Sequence, residues 1–228
     1  MDCTTCQNLA LSSFCSLSKE ELVNLNEYKQ TNNVKKNQII FQEDEIAKGL
    51  YCVHKGKVKL IKTFVDGNMQ ILRISKEAEL IGYRGLLGNR RYIATGVAIE
   101  DSIVCFIPKD KIFELIAKNV KFTMEIMSKF AHDLSLAENK SVSFIQKNSR
   151  ARLAETLLFL EKSFGKTNQN YINILLSREE IASIAGMATE TAVRVLHEWE
   201  QNNMIELNKK HIGILEPEQL YKIAELEE

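Results

Sequence analysis

The chain has 228 residues and carries 30 basic and 30 acidic side chains, so its formal net charge is zero. That length allows one large domain or two small ones with buried cores. A general polyanion binder carries an excess of Lys and Arg, so the charge balance disfavours diffuse nucleic-acid binding. A local basic surface on one domain would still suffice for DNA.

The sequence contains no apolar run that approaches the length of a transmembrane helix. Its N-terminus also lacks the basic start and apolar stretch of a signal peptide. We therefore expect a cytoplasmic protein whose thiols are mostly reduced. Five cysteines is an odd number, which argues against a full disulfide framework.

Residues 34–107 have the pattern of strands and turns. Apolar and polar positions alternate, and Lys55-Gly56 and Asp66-Gly67 separate β-rich runs, as hairpin turns do. Several short strands at close spacing predict a small barrel or sandwich. Two further strands complete it, at about Thr95–Ala98 and Ile103–Ile107.

The pattern becomes helical from Asp110, with no Pro or Gly before Gly165. It predicts helices at about Asp110–Ala117, Val120–Gln146 and Arg150–Ser163. Along the longest of these, one set of side chains recurs at alternating spacings of three and four, which is typical of a two-stranded coiled coil. We predict that this set forms a dimer seam: Met127, Phe130, Leu134, Ala137, Ser141 and Phe144. A second apolar set can face the barrel: Phe122, Ile126 and Leu136.

The last sixty residues, after the polar stretch Gly165–Asn170, form a separate unit. A short strand at Tyr171–Leu175 is followed by Ser177 and Glu180, which have the spacing of a capping box. We predict one helix to about Ile184, a turn at Gly186, and a second helix capped by Thr189. The expected remainder is a hairpin of Ile205–Leu207 and Ile212–Leu215 and a closing helix that begins at Pro217.

Helix, tight turn and helix between strand pairs is the layout of a winged helix-turn-helix, whose second helix enters the major groove of DNA. Glu190 and Arg194 are four residues apart and share one face of that helix. Arg can donate two bonds to guanine, and Glu can accept from cytosine. The alternative is an exposed intrahelical salt bridge. Our candidate DNA-binding residues are Ser177, Arg178, Thr189, Glu190, Thr191, Val193 and Arg194.

Five segments carry a resemblance to a known family: GLYCVHKGKVKLIK, ELIGYRGLLGNRR, SIVCFIP, RARLAETLLFL and LSREEIASIAGMATETAVRVL. Together they resemble the Crp/Fnr family of bacterial transcription regulators over nearly the whole chain. The resemblance implies an α+β fold with a cyclic-nucleotide-binding-like β-roll at 1–117, a dimerisation helix at 118–147 and a winged helix-turn-helix domain at 148–228. It also implies a homodimer on two-fold symmetric DNA, with RNA polymerase as a partner. ETAVR resembles the family's reading element, where Val193 can offer apolar contact to a thymine methyl.

The effector pocket departs from the pattern of family members that bind cyclic AMP. Those members carry a Glu soon after the Gly of the phosphate cassette and then an Arg-Ser pair. Here Gly82 is followed by Tyr83 and Arg84, and no Arg-Ser pair stands before Ala94. We therefore do not expect cyclic AMP. Arg84, Arg90 and Arg91 could hold another anion or form a solvated loop.

The oxygen-sensing branch of the family holds a [4Fe–4S] cluster with three N-terminal cysteines and one at the end of the β-roll. SIVCFIP resembles that last element, which places Cys105 as a ligand, and Cys3 and Cys6 have the spacing of a cluster or metal corner. An ungapped alignment puts the third ligand on Ser12, and the nearest thiol is Cys15. The branch also carries an acidic residue in the dimer seam, where this chain has Ala137.

The cysteines therefore leave several hypotheses open. One is a cluster held by Cys3, Cys6, Cys15 and Cys105, and the others are zinc, a Cys3–Cys6 redox pair and unliganded thiols. We interpret Cys52 as a buried core thiol. The leading function is a DNA-binding regulator that responds to oxygen or redox state. A regulator with an unknown effector, or none, and a cyclic-nucleotide module are alternatives, and no catalytic arrangement or nucleotide loop suggests an enzyme.

Overall fold

The computed structural model describes residues 2–65, 67, 69–88 and 90–225. The chain divides into two compact units, Met1–Leu136 and Ala137–Glu228. We call the first the sensor unit and the second the DNA-binding unit, after the roles that the family resemblance implies. The boundary falls inside the long helix, whereas the sequence predicts a separate helical segment at 118–147, and that three-part division stays a prediction. Within the described residues, no helix is long and apolar enough to cross a membrane.

The sensor unit begins with a short 3-10 turn at Leu9–Leu11 and a helix, α1, at Lys19–Tyr28. Its strands are β1 Gln30–Val34, β2 Ile39–Phe41, β3 Gly49–Lys55, β4 Val58–Thr63, β5 Met69–Ser75, β6 Leu80–Ile81, β7 Thr95–Ala98 and β8 Ser102–Pro108. Helix α2 spans Tyr83–Leu87, α3 spans Lys109–Lys118 and α4 spans Val120–Gln146. The predicted helix α4 and strand β7 are confirmed with the expected bounds.

The strands form two antiparallel four-stranded sheets, in the orders β1-β8-β3-β6 and β2-β7-β4-β5. Apolar side chains from both sheets make one core, which α4 extends with the buried Phe122 and Ile126. Leu136, which we expected on the same face, is 43% exposed, so this expectation is wrong. The buried face of α4 ends before this position, since every residue from 134 to 139 is exposed.

Both expected hairpin turns fall between strands. Gly56 links β3 to β4 with φ of +90°, a conformation that glycine adopts without strain. Gly67 lies between β4 and β5, and its N–H donates to the carbonyl of Phe64. Asp66, the first residue of that expected turn, lies outside the described residues.

The DNA-binding unit contains α5 Ser149–Phe164, α6 Arg178–Ala185, α7 Thr189–Gln201, β9 Ile205–Asn208, β10 His211–Ile214 and α8 Pro217–Ala224. The strand expected at Tyr171–Leu175 is wrong. Its backbone makes only isolated bridges, from Tyr171 to Gly213 and from Ile172 to Lys166, because the chain turns between Ile172 and Ile174.

Of the two helix caps that the sequence predicts in this unit, one is confirmed and the other is wrong. Ser177 and Glu180 form the predicted capping box at α6, each side chain accepting the other residue's backbone N–H. Thr189 is not the cap of α7. The cap is Ala188, whose carbonyl accepts a hydrogen bond from the N–H of Ala192. Thr189 is therefore the first helical residue of α7.

Candidate DNA interface and thiol site

The predicted recognition helix presents its polar residues to solvent. Glu190 and Arg194 on α7 are exposed, while Thr189, Thr191 and Val193 are partly exposed. The opposite face of α7 is buried through Ala192, Val195, Leu196 and Trp199. The amphipathic pattern therefore turns the candidate readers away from the core, as a helix that enters a DNA groove requires.

The turn between α6 and α7 is held by a residue that the sequence reasoning did not single out. Arg152 on α5 donates from Nε to the carbonyl of Ala185 at 2.9 Å, and from Nη2 to that of Gly186 at 2.9 Å. Its Nη1 donates to the carbonyl of Lys147 at 2.8 Å. These bonds satisfy carbonyls at a helix end that lack partners within the helix. In the sequence, Arg152 is marked only by its place in RARLAETLLFL, one of the segments that carry the family resemblance.

Gly186 is required at this turn for two reasons. Its φ of +62° is in the left-handed region, and a Cβ built there would lie 2.0 Å from the ring of Phe144. Phe144 therefore packs beneath the turn of its own chain, while 39% of the residue remains exposed, and its place in the dimer seam stays a prediction. The guanidinium of Arg152 also lies 5.4 Å from the centre of the Phe144 ring.

The hairpin tip of the wing is joined to the start of α6. Arg178 donates from Nη2 to the carbonyl of Lys209 at 3.0 Å. Lys209 and Lys210 are exposed at the tip between β9 and β10. Partial burial lowers the pKa of Arg178, although a guanidinium stays charged at neutral pH. Arg178 thus positions the basic tip, while Ser177 is occupied in its helix cap.

The residues of the expected effector pocket differ in their exposure to solvent. Gly82 caps α2 in a left-handed conformation, and Tyr83 is 1% exposed. Arg84, Arg90 and Arg91 are exposed, and Arg91 donates to the carbonyl of Asp44. The pocket's anion-binding role stays a prediction.

Tyr83 joins a buried polar network with the long helix. Its hydroxyl donates to Asp133 on α4, and Arg73 on β5 donates to the same carboxylate oxygen. Asp133 is 6% exposed, and Lys129 lies one helical turn away from it with Nζ at 4.0 Å. Burial and the bond to Asp133 raise the pKa of Tyr83. Tyr83, which directly follows Gly82 of the phosphate cassette, is thus engaged by another side chain of the same unit.

The N-terminal cysteines lie against the sheet that contains β3 and β8. A cavity of about 40 Å³ is lined by four thiols, those of Cys3, Cys6, Cys52 and Cys105. Cys52 and Cys105 are direct partners on β3 and β8. His54 also lines the cavity, with Nδ1 3.6 Å from the sulfur of Cys6.

Cys15 is exposed and is not among the residues that line this cavity. Ser12, on which an ungapped alignment puts the third ligand, lines it and is 6% exposed. The interpretation of Cys52 as a mere core thiol omitted its position beside Cys105. Only the pairing of β3 with β8 reveals that position.

The thiols fit a thiolate-bound group in type and number, since four sulfurs line one largely apolar cavity. They have not converged on a point: among the described residues, no three Cys, His, Asp or Glu side chains form a group that could hold a metal ion as they stand. Burial raises the pKa of Cys3, Cys52 and Cys105. These three thiols are therefore mostly protonated at neutral pH.

A β-roll, a long helix and a winged helix-turn-helix whose second helix exposes polar residues are the architecture of a DNA-binding transcription regulator. The cyclic nucleotide-binding domain family matches residues 31–119, and the Crp-like helix-turn-helix domain family matches residues 151–223. The chain belongs to the Crp/Fnr family of transcription regulators, and the resemblance stated from its sequence is confirmed.

Similar proteins agree with this assignment. The regulatory protein HlyX of Actinobacillus pleuropneumoniae is 26% identical over 92% of this chain and 89% of its own. The fumarate and nitrate reduction regulatory protein of Escherichia coli K12 is 24% identical over 96% of this chain and 90% of its own. The structure of FixK2 from Bradyrhizobium japonicum matches with a TM-score of 0.77 at 21% identity, over 86% of this chain and 96% of that one. These relatives are regulators, so the expectation that the chain is not an enzyme is confirmed.

Proposed function

We propose that the protein acts as a homodimer on a two-fold symmetric DNA site and responds to oxygen or redox state through its N-terminal cysteines. The observation that carries the DNA-binding role is the exposed face of α7, with Glu190 and Arg194 one helical turn apart. The two-fold site follows from the dimer, because each copy would present one recognition helix to one half-site.

Each DNA contact has a separate chemical role in this proposal. The guanidinium of Arg194 donates two bonds to guanine O6 and N7, and the carboxylate of Glu190 accepts from cytosine N4. Lys209 and Lys210 at the wing tip neutralise phosphates, which contributes affinity without reading sequence. The chain's zero net charge is compatible with this local basic tip.

The exposed apolar side chains of α4 support the homodimer. Met127 and Leu134 are each 59% exposed, and Ala137 and Ser141 are exposed on the same predicted seam. A second copy of α4 would cover these residues. Phe130 is partly buried against Tyr83, with ring centres 5.0 Å apart, so it can link the seam to the β-roll. Ala137 adds no charge to the seam that would oppose dimerisation.

The cavity lined by cysteines supports the sensor role. Because the N-terminal segment and β8 bring Cys3, Cys6 and Cys105 together, a [4Fe–4S] cluster is the group we propose for the site. When bound, such a cluster supplies one-electron redox chemistry. The chain's own part is to supply thiolates and to shield them from water. RNA polymerase is the further partner that the family implies.

A second candidate function rests on the match of residues 31–119 to the cyclic nucleotide-binding domain family. In that case the β-roll would respond to a small anionic effector held by Arg84, Arg90 or Arg91. The bond from Tyr83 to Asp133 disfavours this candidate, because it engages a residue of the expected pocket internally.

Binding-site selection with anaerobically purified protein tests the proposal. We expect an inverted repeat whose half-site centres are about one helical turn of DNA apart. Exposure to air should then weaken binding to the selected site. A single unrepeated half-site would contradict the dimer, and equal affinity before and after exposure would contradict the redox response. Adding cyclic AMP tests the second candidate.

A further inference from the structure

We propose that the sensor site is a four-thiolate metal centre whose ligands are Cys3, Cys6, Cys52 and Cys105, so that Cys52 on β3 takes the place of Cys15. The inference rests on the proposed sensor role of the N-terminal cysteines and specifies its ligands. The ligand chemistry is that of a thiophilic metal, supplied either as an iron–sulfur cluster or as Zn²⁺.

Four of the chain's five cysteines line the cavity, and these are the proposed ligands. Cys52 and Cys105 are opposite each other on paired strands, so the sheet fixes two sulfurs at one wall. Cys3 and Cys6 line the same cavity from the N-terminal segment. Three separate parts of the chain therefore bring their thiols together.

Cys15 is held away from the cavity by its neighbours. Phe14 is 6% exposed and stacks on Phe122, with ring centres 5.5 Å apart, and Leu17 is also buried. Turning Cys15 inwards would pull these apolar side chains out of the core. Ser12 stands where the ungapped alignment puts the third ligand, and its hydroxyl donates to the carbonyl of Leu9 at 2.9 Å. A hydroxyl is a poor ligand for a soft metal, which leaves Cys52 as the fourth thiol.

Electrostatics indicates why such a cavity needs a cation. Lys29 is a basic side chain that lines the cavity. One lysine cannot balance four thiolates in an apolar cavity, whereas a metal centre supplies the missing positive charge.

Binding of Zn²⁺ or of a preformed cluster replaces four S–H bonds by four S–metal bonds, and four protons leave to the solvent with no change of oxidation state at sulfur or metal. The sheet fixes Cys52 and Cys105, so the approach of the ligands must come from the turn that carries Cys3 and Cys6. That turn is joined to the rest of the unit by the Cys3 N–H, which donates to Asn26 Oδ1 at 3.2 Å, and by Asn8 Nδ2, which donates to the carbonyl of His54 at 2.6 Å. A small adjustment there would let the four sulfurs converge on a metal centre.

The test measures metal content of the full-length protein and its single-cysteine variants. Wild type is purified anaerobically, and separate samples are reconstituted with equal amounts of ferrous and ferric iron plus sulfide, or with Zn²⁺ alone. Iron, acid-labile sulfide and zinc are then measured per chain. Iron with equimolar sulfide identifies a cluster, and about one zinc per chain without sulfide identifies a zinc centre. Either supports a four-thiolate centre.

Matched variants identify the ligands. Cys52→Ser and Cys3→Ser should lose most of the bound metal, whereas Cys15→Ser should keep the wild-type content. Cys52→Ala, with circular dichroism on both Cys52 variants, separates lost ligation from lost folding. In the Cys52→Ser background, Ser12→Cys should restore metal because it supplies a thiol to the same cavity.

Three outcomes would overturn the inference. Metal retained by Cys52→Ser but lost by Cys15→Ser would assign Cys15 instead. Metal lost by both would mean that the set is wrong, and no metal in any wild-type sample would mean that no centre exists. If the anaerobic protein still selects an inverted repeat in that last case, only the metal centre fails, and the proposed DNA-binding function stands.

Discussion

The sensor unit and the DNA-binding unit place their chemically important side chains in opposite environments. In the sensor unit Asp133, Tyr83 and the thiol of Cys105 are buried and contact groups of the same unit. In the DNA-binding unit Glu190 and Arg194 are exposed on α7. The proposed redox site needs thiols shielded from bulk water, whereas the proposed DNA contacts need polar groups presented to a partner. The following predictions test this contrast.

The largest effect is expected at the buried carboxylate. Asp133→Ala removes one of the two carboxylates that pair with Arg73, the other being Glu79 at 3.6 Å, and leaves the Tyr83 hydroxyl without its acceptor. Breaking such a pair costs about 3–5 kcal/mol in the free energy of unfolding. Urea denaturation followed by circular dichroism measures it, with Glu138→Ala on the exposed part of the same helix as control. Equal midpoints for the two variants would show that the network contributes no stability.

The next effect concerns the turn that supports the exposed readers. Arg152→Ala should lower the free energy of unfolding of the DNA-binding unit by about 2–3 kcal/mol, because carbonyls of Ala185, Gly186 and Lys147 lose a charged donor. Arg150→Ala, on the same helix, breaks an exposed ion pair with Glu198 and should cost about 0–1 kcal/mol.

Trp199 gives a local measurement for this pair of variants, since it is the chain's single tryptophan and is fully buried on α7. Its fluorescence during urea denaturation therefore reports on the DNA-binding unit. If Arg150→Ala lowered the midpoint more than Arg152→Ala, the carbonyl contacts would not be what holds the turn.

The exposed readers should affect specificity more than stability. Arg194→Ala should lose about 1–3 kcal/mol of discrimination at one base pair of each half-site. Lys210→Ala should weaken binding to all sequences alike and reduce the salt dependence by about one unit per site. Competition binding over a panel of single-base operator variants measures both. An unchanged base preference in Arg194→Ala would remove this residue from the reading face.

The same contrast determines what the sequence could predict. The capping box of Ser177 and Glu180, helix α4 and strand β7 all follow from residues close together in the chain, and the structure has them where the sequence placed them. The thiol site depends on the pairing of β3 with β8, so periodicity could assign Cys52 to a strand but not to a neighbour of Cys105. Asp133 was missed for a similar reason, because its partner Arg73 lies on a distant strand.

The smallest and most local test compares the five thiols in the metal-free, reduced protein. Burial raises the pKa of Cys3, Cys52 and Cys105, so at neutral pH few of these thiols are ionised and they should react slowly with iodoacetamide. Cys15 is exposed and should be alkylated first. Mass spectrometry of peptides after timed quenching gives each rate, and the same measurement in urea should make the rates similar. Alkylation of Cys52 as fast as that of Cys15 in the folded protein would show that the sensor unit does not enclose its thiols, and the contrast between the two units would fail at this site.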